Sequence, residues 1–313
     1  MKMKVRSIVA AMALVTSLGA FAQEEEKKPD PKFHIYLCFG QSNMAGGENP
    51  GPQDMENKAE CLWKMATTDM PRQQLKVGDW YLTKPLEGRN ISQLRLADFF
   101  GWTMLEDMPE GYRVGVINVS VPGCKIELFE EDTYAEYLKT AESWMKSESD
   151  KFGGNPYKRL VEAAKIAQKD GVIKGIILHQ GESNPNDEQW CNKVKGIYDN
   201  LIKDLGLDPK KVPFLAGEMK SAEENGQCAG FNTVVLANLP SVLPNSYIIS
   251  SKGCKGSRDG FHFVVEGYQE FGRRYGAKML ELQGFEYKEP KKEEAADAKE
   301  AVAPKADEVK ADA

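Results

Sequence analysis

Five short apolar segments, separated by stretches with helical spacing, constrain the fold of this chain most strongly. They are rich in Val, Ile, Leu or aromatic residues and comprise Phe33–Phe39, Arg113–Val119, Val172–His179, Val212–Gly217 and Ser246–Ser250. Near-continuous apolar strands are typical of a parallel sheet that is covered by helices on both faces. We therefore expect each segment to form a buried strand.

Helical patterns fill the intervals between these strands. In the first of them, apolar side chains return every three or four residues, at Leu96, Phe99, Phe100 and Met104. The predicted helices are Leu94–Leu105, Pro156–Gln168, Glu188–Leu205, Phe231–Leu239 and Val264–Leu282. This alternation predicts an α/β fold, a three-layer α/β/α sandwich with a five-stranded, mostly parallel sheet.

The N-terminal segment has the features of a cleavable secretory signal. A basic head ends at Arg6, an apolar run extends from Ser7 to Ala20, and small residues stand at Ala20 and Ala22. The apolar run is too short to span a bilayer comfortably, since about 20 residues are needed. We therefore expect a signal peptide over residues 1–22 and a secreted or periplasmic protein with no membrane partner after cleavage.

The remaining chain divides into three parts. A linker is expected over residues 23–32 and a folded domain over residues 33–287. Residues 288–313 consist mainly of Ala, Glu, Lys, Asp and Pro. Such a segment has too little apolar surface to offset the entropy of ordering, which predicts a disordered charged tail.

Charge and cysteine content limit the expected partners. The chain has 313 residues, with 41 Lys and Arg against 47 Asp and Glu, and a formal net charge of −6. It therefore offers no basic field for nucleic acid, and a neutral or weakly charged substrate fits better. Six cysteines allow several disulfide pairings in an exported chain, and the sequence does not choose among them. The absence of a CxxC pair argues against a structural zinc site.

Compact polar turns follow four of the predicted strands. Gly40–Gly46 (GQSNMAG) comes after the first strand, Ser120–Cys124 after the second, His179–Asn184 (HQGESN) after the third and Arg258–His262 after the fifth. Ligands of open α/β sheets bind beyond the carboxyl ends of the strands. We therefore expect these four turns to line one crevice, with Ser42 exposed on a tight turn beside backbone N–H groups.

Ser42 is the candidate nucleophile of this crevice. A neutral hydroxyl needs a base to take its proton, and His262 is suited because imidazole titrates near neutral pH. Asp259 lies three residues before His262, so one turn can bring its carboxylate to one ring nitrogen and leave the other for Ser42. The sequence thus predicts a Ser–His–Asp triad. Glu182 remains open as a second acid partner of His262 or as a brace for its own loop.

Taken together, the four turns resemble the ordered sequence blocks of the SGNH hydrolases. The form GQSNM, with QGE in the third block, is similar to the branch of sialate O-acetylesterases and acetylxylan esterases, including family-six carbohydrate esterases. The resemblance extends from about Phe33 to Leu282 and implies a flavodoxin-like SGNH hydrolase fold. It also implies an oxyanion hole formed by the backbone N–H groups of Ser42 and Gly123 and the side-chain amide of Gln180.

Two positions depart from the family pattern. Cys124 stands where the second block usually has a second glycine. Gln180 stands where SGNH members outside the carbohydrate branch have Asn.

The resemblance also implies the activity. We expect an exported serine esterase that removes O-acetyl groups from carbohydrate through an acetyl-serine intermediate, without a metal or cofactor. Acetylated xylan or xylo-oligosaccharides are the first expected substrates, and O-acetylated sialic acid is the alternative. A non-catalytic carbohydrate-binding protein on the same fold, and a lipase or thioesterase, remain open as other readings. The sequence does not indicate the oligomeric state.

Aromatic residues in the long segment 49–90 are candidates for substrate binding. Trp63, Trp80 and Tyr81 could form a wall for sugar rings, because long loops at strand ends commonly carry binding residues. They could equally cap the core from outside. Trp144 and Trp190, in contrast, lie in or near predicted helices, and we expect both to pack against the core.

Two further groups bear on the substrate. His179 ends an apolar strand and is expected to be a core or rim histidine, with substrate contact as the alternative. A charged sialate would require an arginine near the cleft, for which Arg89, Arg95 and Arg258 are the candidates.

Overall fold

A mostly parallel sheet forms the centre of the molecule. The structure is a computed structural model that describes residues 28–46, 62–82 and 96–289. Its strands are β1 (Phe33–Gly40), β2 (Leu62–Met65), β3 (Trp80–Leu82), β4 (Arg113–Ser120), β5 (Val172–His179), β6 (Phe214–Gly217) and β7 (Ser246–Ile249). The order across the sheet is β3-β2-β4-β1-β5-β6-β7. All neighbouring pairs are parallel except β2 and β3, which run antiparallel.

Helices cover both faces of this sheet. They are α1 (Ser42–Ala45), α2 (Leu96–Asp107), α3 (Tyr134–Thr140), α4 (Ser143–Asp150), α5 (Pro156–Ala167), α6 (Trp190–Asp204), α7 (Ala229–Val234), α8 (Leu239–Val242) and α9 (Val265–Gln283). Single 3-10 turns occur at Pro71–Gln73, Ile126–Phe129, Ala222–Glu224 and Leu236–Asn238. Helices α5 and α6 pack on one face, and α2 and α9 pack on the other.

The alternation of side chains along β1 explains the two cores. Phe33, Leu37 and Phe39 point into the layer beneath α5 and α6. Tyr36 and Cys38 point into the layer beneath α2 and α9. Every residue of β1 is buried, because a central parallel strand is covered on both faces. This confirms the predicted three-layer α/β/α class.

The register of the central strands places their carboxyl ends side by side. Gly40 at the end of β1 pairs with Ser120 at the end of β4 and with His179 at the end of β5. The three polar turns that follow these strands therefore leave the sheet at the same level. This edge of the sheet is where the candidate site forms.

Two predictions about the elements are wrong. The sheet has two more strands than the five expected, because β2 and β3 form inside the segment 49–90 that we read as a loop. The predicted helix Phe231–Leu239 is interrupted: α7 ends at Val234, a 3-10 turn follows, and α8 begins at Leu239 with Pro240 in its first turn. Proline lacks the N–H that a continuous helix would need at this position.

Several expectations fall on residues outside the described ranges. They concern the signal peptide, the first half of the linker, most of the charged tail, the start of the predicted helix at Leu94, and Cys61. The other five cysteines are buried free thiols. Within residues 28–46, 62–82 and 96–289, no helix has the length and apolar character that crossing a bilayer requires.

Candidate active site

A sharp turn after β1 presents Ser42. Gly40 has a positive φ of 148°, and a Cβ there would lie 2.1 Å from the carbonyl oxygen of His179. Only glycine therefore fits where β1 passes β5 so closely. The chain then enters the single turn α1, which begins at Ser42 and ends before Gly46, whose φ is 76°.

Ser42, His262 and Asp259 form one hydrogen-bonded chain. The Nε2 atom of His262 lies 2.8 Å from the Oγ atom of Ser42. Its Nδ1 atom lies 2.5 Å from Oδ2 of Asp259. A carboxylate can only accept, so Nδ1 carries the ring proton and Nε2 is left to accept the proton of Ser42. The three side chains that the sequence predicts as a triad are thus brought together.

The loop around Asp259 fixes its carboxylate. Oδ1 accepts hydrogen bonds from the backbone N–H groups of Phe261 and His262 and from the hydroxyl of Ser257. Partial burial raises the pKa of Asp259, but the hydrogen bonds from His262, Ser257 and Phe261 outweigh it and hold the pKa well below its usual value. The carboxylate therefore stays ionised and oriented toward the imidazole.

Asn43 links the nucleophile turn to the histidine loop. Its Nδ2 atom donates to the carbonyl oxygen of Phe261 at 3.1 Å and to Oε1 of Glu182 at 2.6 Å. Its Oδ1 atom accepts from the hydroxyl of Tyr268 in α9 at 2.9 Å. Because Asn43 follows Ser42 and Phe261 precedes His262, this fully buried amide sets the distance between the two reacting side chains.

Glu182 braces this network. Its side chain is 6% exposed, its Oε1 accepts from Asn43, and it is 3.7 Å from Nδ1 of His179. Among the described residues, Asp259 is the carboxylate that contacts the ring of His262. The structure therefore supports the bracing alternative for Glu182 and not that of a second acid.

His179 lies beneath the site. It is fully buried, and its Nε2 donates to the carbonyl oxygen of Glu218 at 3.1 Å. Burial lowers the pKa of its imidazole, against the opposing effect of the Glu182 charge. A side chain without exposed surface cannot touch a substrate, so the core interpretation holds and the substrate-contact alternative is wrong.

The backbone donors predicted for an oxyanion hole are available. Gly123 is exposed and has a positive φ of 71°. Within the part of the chain that the structure describes, the N–H groups of Ser42 and Gly123 donate to no other residue. Both can thus serve an oxygen bound beside Ser42.

Gln180 does not fit the third donor position. It is 1% exposed, and its Nε2 is in hydrogen-bond contact with Asn184, Gln41 and the carbonyl oxygen of Cys124. Its Oε1 accepts from the indole N–H of Trp190 at 2.5 Å. The resemblance-based expectation for Gln180 is therefore wrong, because its amide is engaged in holding the loop.

Gln41 is a candidate donor that the sequence reasoning missed. Its Oε1 accepts from Gln180 and from the backbone N–H groups of Gly181 and Ser183, at 3.1, 3.3 and 3.4 Å. These donors fix which end of the amide is oxygen. No described residue accepts a hydrogen bond from its Nε2 atom, and Gln41 directly precedes Ser42. Gln41 is visible in the sequence motif GQSN, but the sequence alone does not show whether Gln41 or Gln180 has the free amide donor.

Trp63 and Trp80 lie far from Ser42. They line a cavity of about 310 Å³ together with Phe33 and Arg113, the first residues of β1 and β4. Trp80 packs against the ring of Phe33, with centroids 5.0 Å apart. At about 3.3 Å per residue, the length of β1 puts this cavity on the order of 20 Å from Gly40. The expectation that these tryptophans form a substrate wall is therefore wrong.

Tyr81 and the candidate arginines complete the comparison. Tyr81 lies on the edge strand β3, which β2 and β4 separate from β1. It is therefore about 14 Å from β1 at ordinary strand spacing and is not part of the site. Arg258 is exposed next to Asp259, whereas Arg89 and Arg95 lie outside the described residues.

Two alternative chemistries can be compared with the site. Cys124 is fully buried, and burial raises the pKa of its thiol, so it has no nucleophile character. No group of three or more His, Cys, Asp or Glu side chains suited to a metal occurs in the described ranges. Asp187, close to His179 and Glu182 in the sequence, is paired with Lys193 at 2.7 Å.

Comparisons with known proteins identify relatives of this chain. A family model described as "carbohydrate esterase, sialic acid-specific acetylesterase" (SASA) matches residues 32–281. A "probable carbohydrate esterase" of Arabidopsis thaliana is 24% identical over 263 residues, which cover 79% of this chain and 90% of that protein.

Solved structures show the same fold. The crystal structure of that Arabidopsis protein has a TM-score of 0.58 at 18% identity and covers 80% of this chain and 99% of its own. The protein NanS gives a TM-score of 0.59 at 14% identity, over 81% of this chain and 98% of its own. A carbohydrate acetylesterase from Xanthomonas citri gives a TM-score of 0.56 at 18% identity, and the match covers 79% of this chain and 56% of that protein.

The family match spans β1 through most of α9 and so contains every turn of the site. The chain therefore belongs to the SASA family of carbohydrate esterases, built on the SGNH hydrolase fold.

Proposed function

We propose that this protein is a serine esterase that removes O-acetyl groups from carbohydrate, with Ser42 as nucleophile, His262 as general base and acid, and Asp259 as the partner of His262. One observation carries the proposal. The hydrogen bonds from Nδ1–H of His262 to Asp259 and from the Ser42 hydroxyl to Nε2 of His262 join segments 220 residues apart into the order that acyl transfer requires.

The first half of the reaction forms an acetyl-enzyme. The Oγ atom of Ser42 attacks the acetyl carbonyl carbon while Nε2 of His262 takes the hydroxyl proton. The tetrahedral intermediate collapses, the bond to the sugar oxygen breaks, and His262 returns the proton to that oxygen. The sugar alcohol leaves, and Asp259 stabilises the imidazolium throughout.

Three donors stabilise the oxyanion in this proposal. They are the backbone N–H groups of Ser42 and Gly123, together with the Nε2 atom of Gln41. Gln41 replaces Gln180 because its amide oxygen is pinned by other donors while its nitrogen has no acceptor among the described residues. Loss of one such donor typically lowers kcat by about 10²–10³-fold.

Water completes the cycle. Nε2 of His262 takes a proton from the water as its oxygen attacks the acetyl carbon of the Ser42 ester. Collapse of the second tetrahedral intermediate returns the proton to Oγ of Ser42 and releases acetate. The reaction balances with water as the only co-reactant, and no step requires a cofactor.

Acetylated xylan or xylo-oligosaccharides are the first proposed substrates. The chain has a net charge of −6, and Glu182 and Asp259 add negative charge at the site, which favours a neutral sugar over an anionic one. O-acetylated sialic acid is the second candidate, and the description of the matching family model favours it. Of the three candidate arginines for its carboxylate, Arg258 is the one within the described residues, and it is exposed.

A side-by-side assay tests the proposal. Acetate release is measured from acetylated xylo-oligosaccharides and from 9-O-acetylated sialic acid, and release of the phenol is measured from a long-chain aryl ester. The proposal expects the acetylated carbohydrates to be hydrolysed and the long-chain ester to be poor. Binding of both carbohydrates without acetate release would indicate the non-catalytic alternative, and preference for the long acyl chain would indicate a lipase.

We also propose that the protein is exported and that its N-terminal signal peptide is removed. The basic head, apolar run and small residues of the first 22 positions support cleavage after Ala22. N-terminal sequencing of the protein recovered outside the cytoplasm tests this, with Gln23 as the expected first residue. An intact Met1 in that fraction would contradict it.

A further inference from the structure

Trp144 is unusual for its exposure. It is 51% exposed and is one of three large hydrophobic residues with substantial exposure in the described ranges, with Ile166 and Val234. Trp190 is the opposite case, since it is fully buried and donates its indole N–H to Gln180. The expectation that both tryptophans pack in the core is therefore right for Trp190 and wrong for Trp144.

The helix that carries Trp144 is firmly held. Met145 and Ser149 of α4 are buried, with exposures of 2% and 0%. They fix the helix on the molecule, so the neighbouring Trp144 has a defined position although its ring is in contact with solvent. A single exposed apolar residue is common on protein surfaces, so the position of Trp144 relative to the active site decides its role.

The position of this ring connects it to the active site. A Cβ at Gly123 would lie 2.7 Å from Cη2, 3.4 Å from Cζ3 and 3.7 Å from Cζ2 of Trp144. The edge of the six-membered ring thus rests against Gly123. Gly123 contributes one of the two backbone donors proposed for the oxyanion, and its carbonyl oxygen accepts from the hydroxyl of Ser183 at 2.9 Å.

We propose that the exposed indole of Trp144 is the platform on which the sugar ring of the substrate stacks, and that it determines the preference for carbohydrate esters over simple acetates. The inference rests on the proposed function. An acetyl carbonyl oxygen bound by Gly123 lies roughly 3 Å from its nitrogen. The sugar carbon that bears this acetyl group lies three bonds from the carbonyl oxygen, which puts the sugar within reach of the indole that touches the same glycine.

The chemistry of the two surfaces matches. A pyranose ring has an apolar face of C–H groups, and a tryptophan presents a large rigid apolar face with little conformational entropy to lose. The same contact accounts for the residue at position 123. A side chain there would be strained by its positive φ and would occupy the space of the indole.

Kinetics of Trp144→Ala, Trp144→Phe and Ile166→Ala test the platform. The substrates are 4-nitrophenyl acetate, which has no sugar, and whichever acetylated carbohydrate the wild type hydrolyses faster. We expect Trp144→Ala to lower the ratio of kcat/KM for carbohydrate to kcat/KM for 4-nitrophenyl acetate about tenfold, mainly through KM. This corresponds to about 1.4 kcal/mol. Trp144→Phe should recover part of the ratio.

The control and the contradicting results are distinct. Ile166 is 36% exposed and contacts Gly78, near the Trp63–Trp80 cavity, so its variant should keep the wild-type ratio. If Trp144→Ala leaves the carbohydrate-to-4-nitrophenyl acetate ratio of kcat/KM unchanged, the platform is overturned. This holds whether kcat/KM falls equally for both substrates or for neither.

Binding measurements separate the platform from the proposed function. Calorimetry on Ser42→Ala and on Ser42→Ala/Trp144→Ala, with acetylated xylo-oligosaccharides and 9-O-acetylated sialic acid, should show weaker carbohydrate binding in the double variant. Equal affinities overturn the platform. A wild type that releases no acetate from any ester overturns the proposed function, while the binding comparison still decides the role of Trp144.

Discussion

The hydroxyl of Ser42 and the imidazole of His262 lie 2.8 Å apart, although 220 residues separate them in the chain. The contact depends on the parallel sheet, in which β1 leads to Ser42 and β7 leads to the loop of His262, and on Asn43, which ties the serine turn to the backbone beside His262. The account of function therefore depends on an arrangement that involves the whole fold.

Asp259 and Glu182 should differ sharply when each carboxylate is replaced. Asp259→Asn removes the ion that orients His262, so we expect kcat to fall about 10³–10⁴-fold with little change in KM. Because the pKa of Asp259 is held below its usual value, the loss of activity at low pH should reflect a group other than this carboxylate. Glu182→Gln should cost far less. A larger loss in Glu182→Gln would show that Glu182 is the main acid.

The two glutamines should also separate. Gln41→Glu keeps the oxygen that accepts from Gly181 and Ser183 but loses the amide donor, so kcat should fall at least about 10²-fold while the fold persists. Gln180→Ala removes the contacts to Trp190 and Asn184 and should mainly lower the melting temperature. Thermal unfolding and kcat are measured for both. The reverse pattern would restore Gln180 to the oxyanion hole.

The Asn43–Glu182 hydrogen bond can be exchanged. In the wild type, Nδ2 of Asn43 donates to Oε1 of Glu182 at 2.6 Å. Asn43→Asp replaces this donor with a second carboxylate that faces Glu182, so both stability and kcat should fall. In the double variant with Glu182→Gln, the new glutamine amide can donate to the new aspartate at position 43. This should restore part of the stability and part of kcat. The melting temperature and kcat of the single and double variants are compared. No recovery in the double variant would contradict a positioning role for this pair.

His34 should make stability depend on pH. It is 4% exposed between the rings of Tyr112 and Phe285, and burial, with a smaller effect of Lys174, lowers its pKa to about 4. As the pH falls below about 6.5, His34 is protonated in the unfolded chain, whereas in the folded protein it stays neutral until about pH 4. The folded state therefore loses stability across that window, by about 3 kcal/mol at most.

The variant that checks this is His34→Phe, which keeps an aromatic ring but cannot titrate. Urea unfolding at a series of pH values should show a flatter profile between pH 6.5 and 4 than in the wild type. Parallel profiles for the two proteins would assign the acid sensitivity to other groups.

The fold class could be predicted because the central strands are nearly continuous apolar runs. β1, β4 and β5 are long and buried, and their pattern distinguishes them from helices. β2 and β3 could not be found in the same way, because they are only four and three residues long. Their pairing depends on tertiary contact with β4, which no local pattern reports.

The site was predictable where a residue type has one chemical role. Ser, His and Asp have distinct roles in a triad, so Ser42, His262 and Asp259 could be assigned from residue type whatever their order in the chain. Gln41 and Gln180 carry the same amide, and only their hydrogen-bond partners separate a free donor from an engaged one. Trp144 was missed for a similar reason, because a tryptophan in a helix gives no sign of which way it faces.

Turnover by Ser42→Ala tests the central claim most directly. Initial rates of acetate release are compared with those of the wild type on an acetylated carbohydrate and on 4-nitrophenyl acetate, with calorimetric binding to show that the variant is folded. The account predicts a fall of at least about 10⁴-fold on both esters with carbohydrate affinity retained. Rates within about tenfold of the wild type would contradict it.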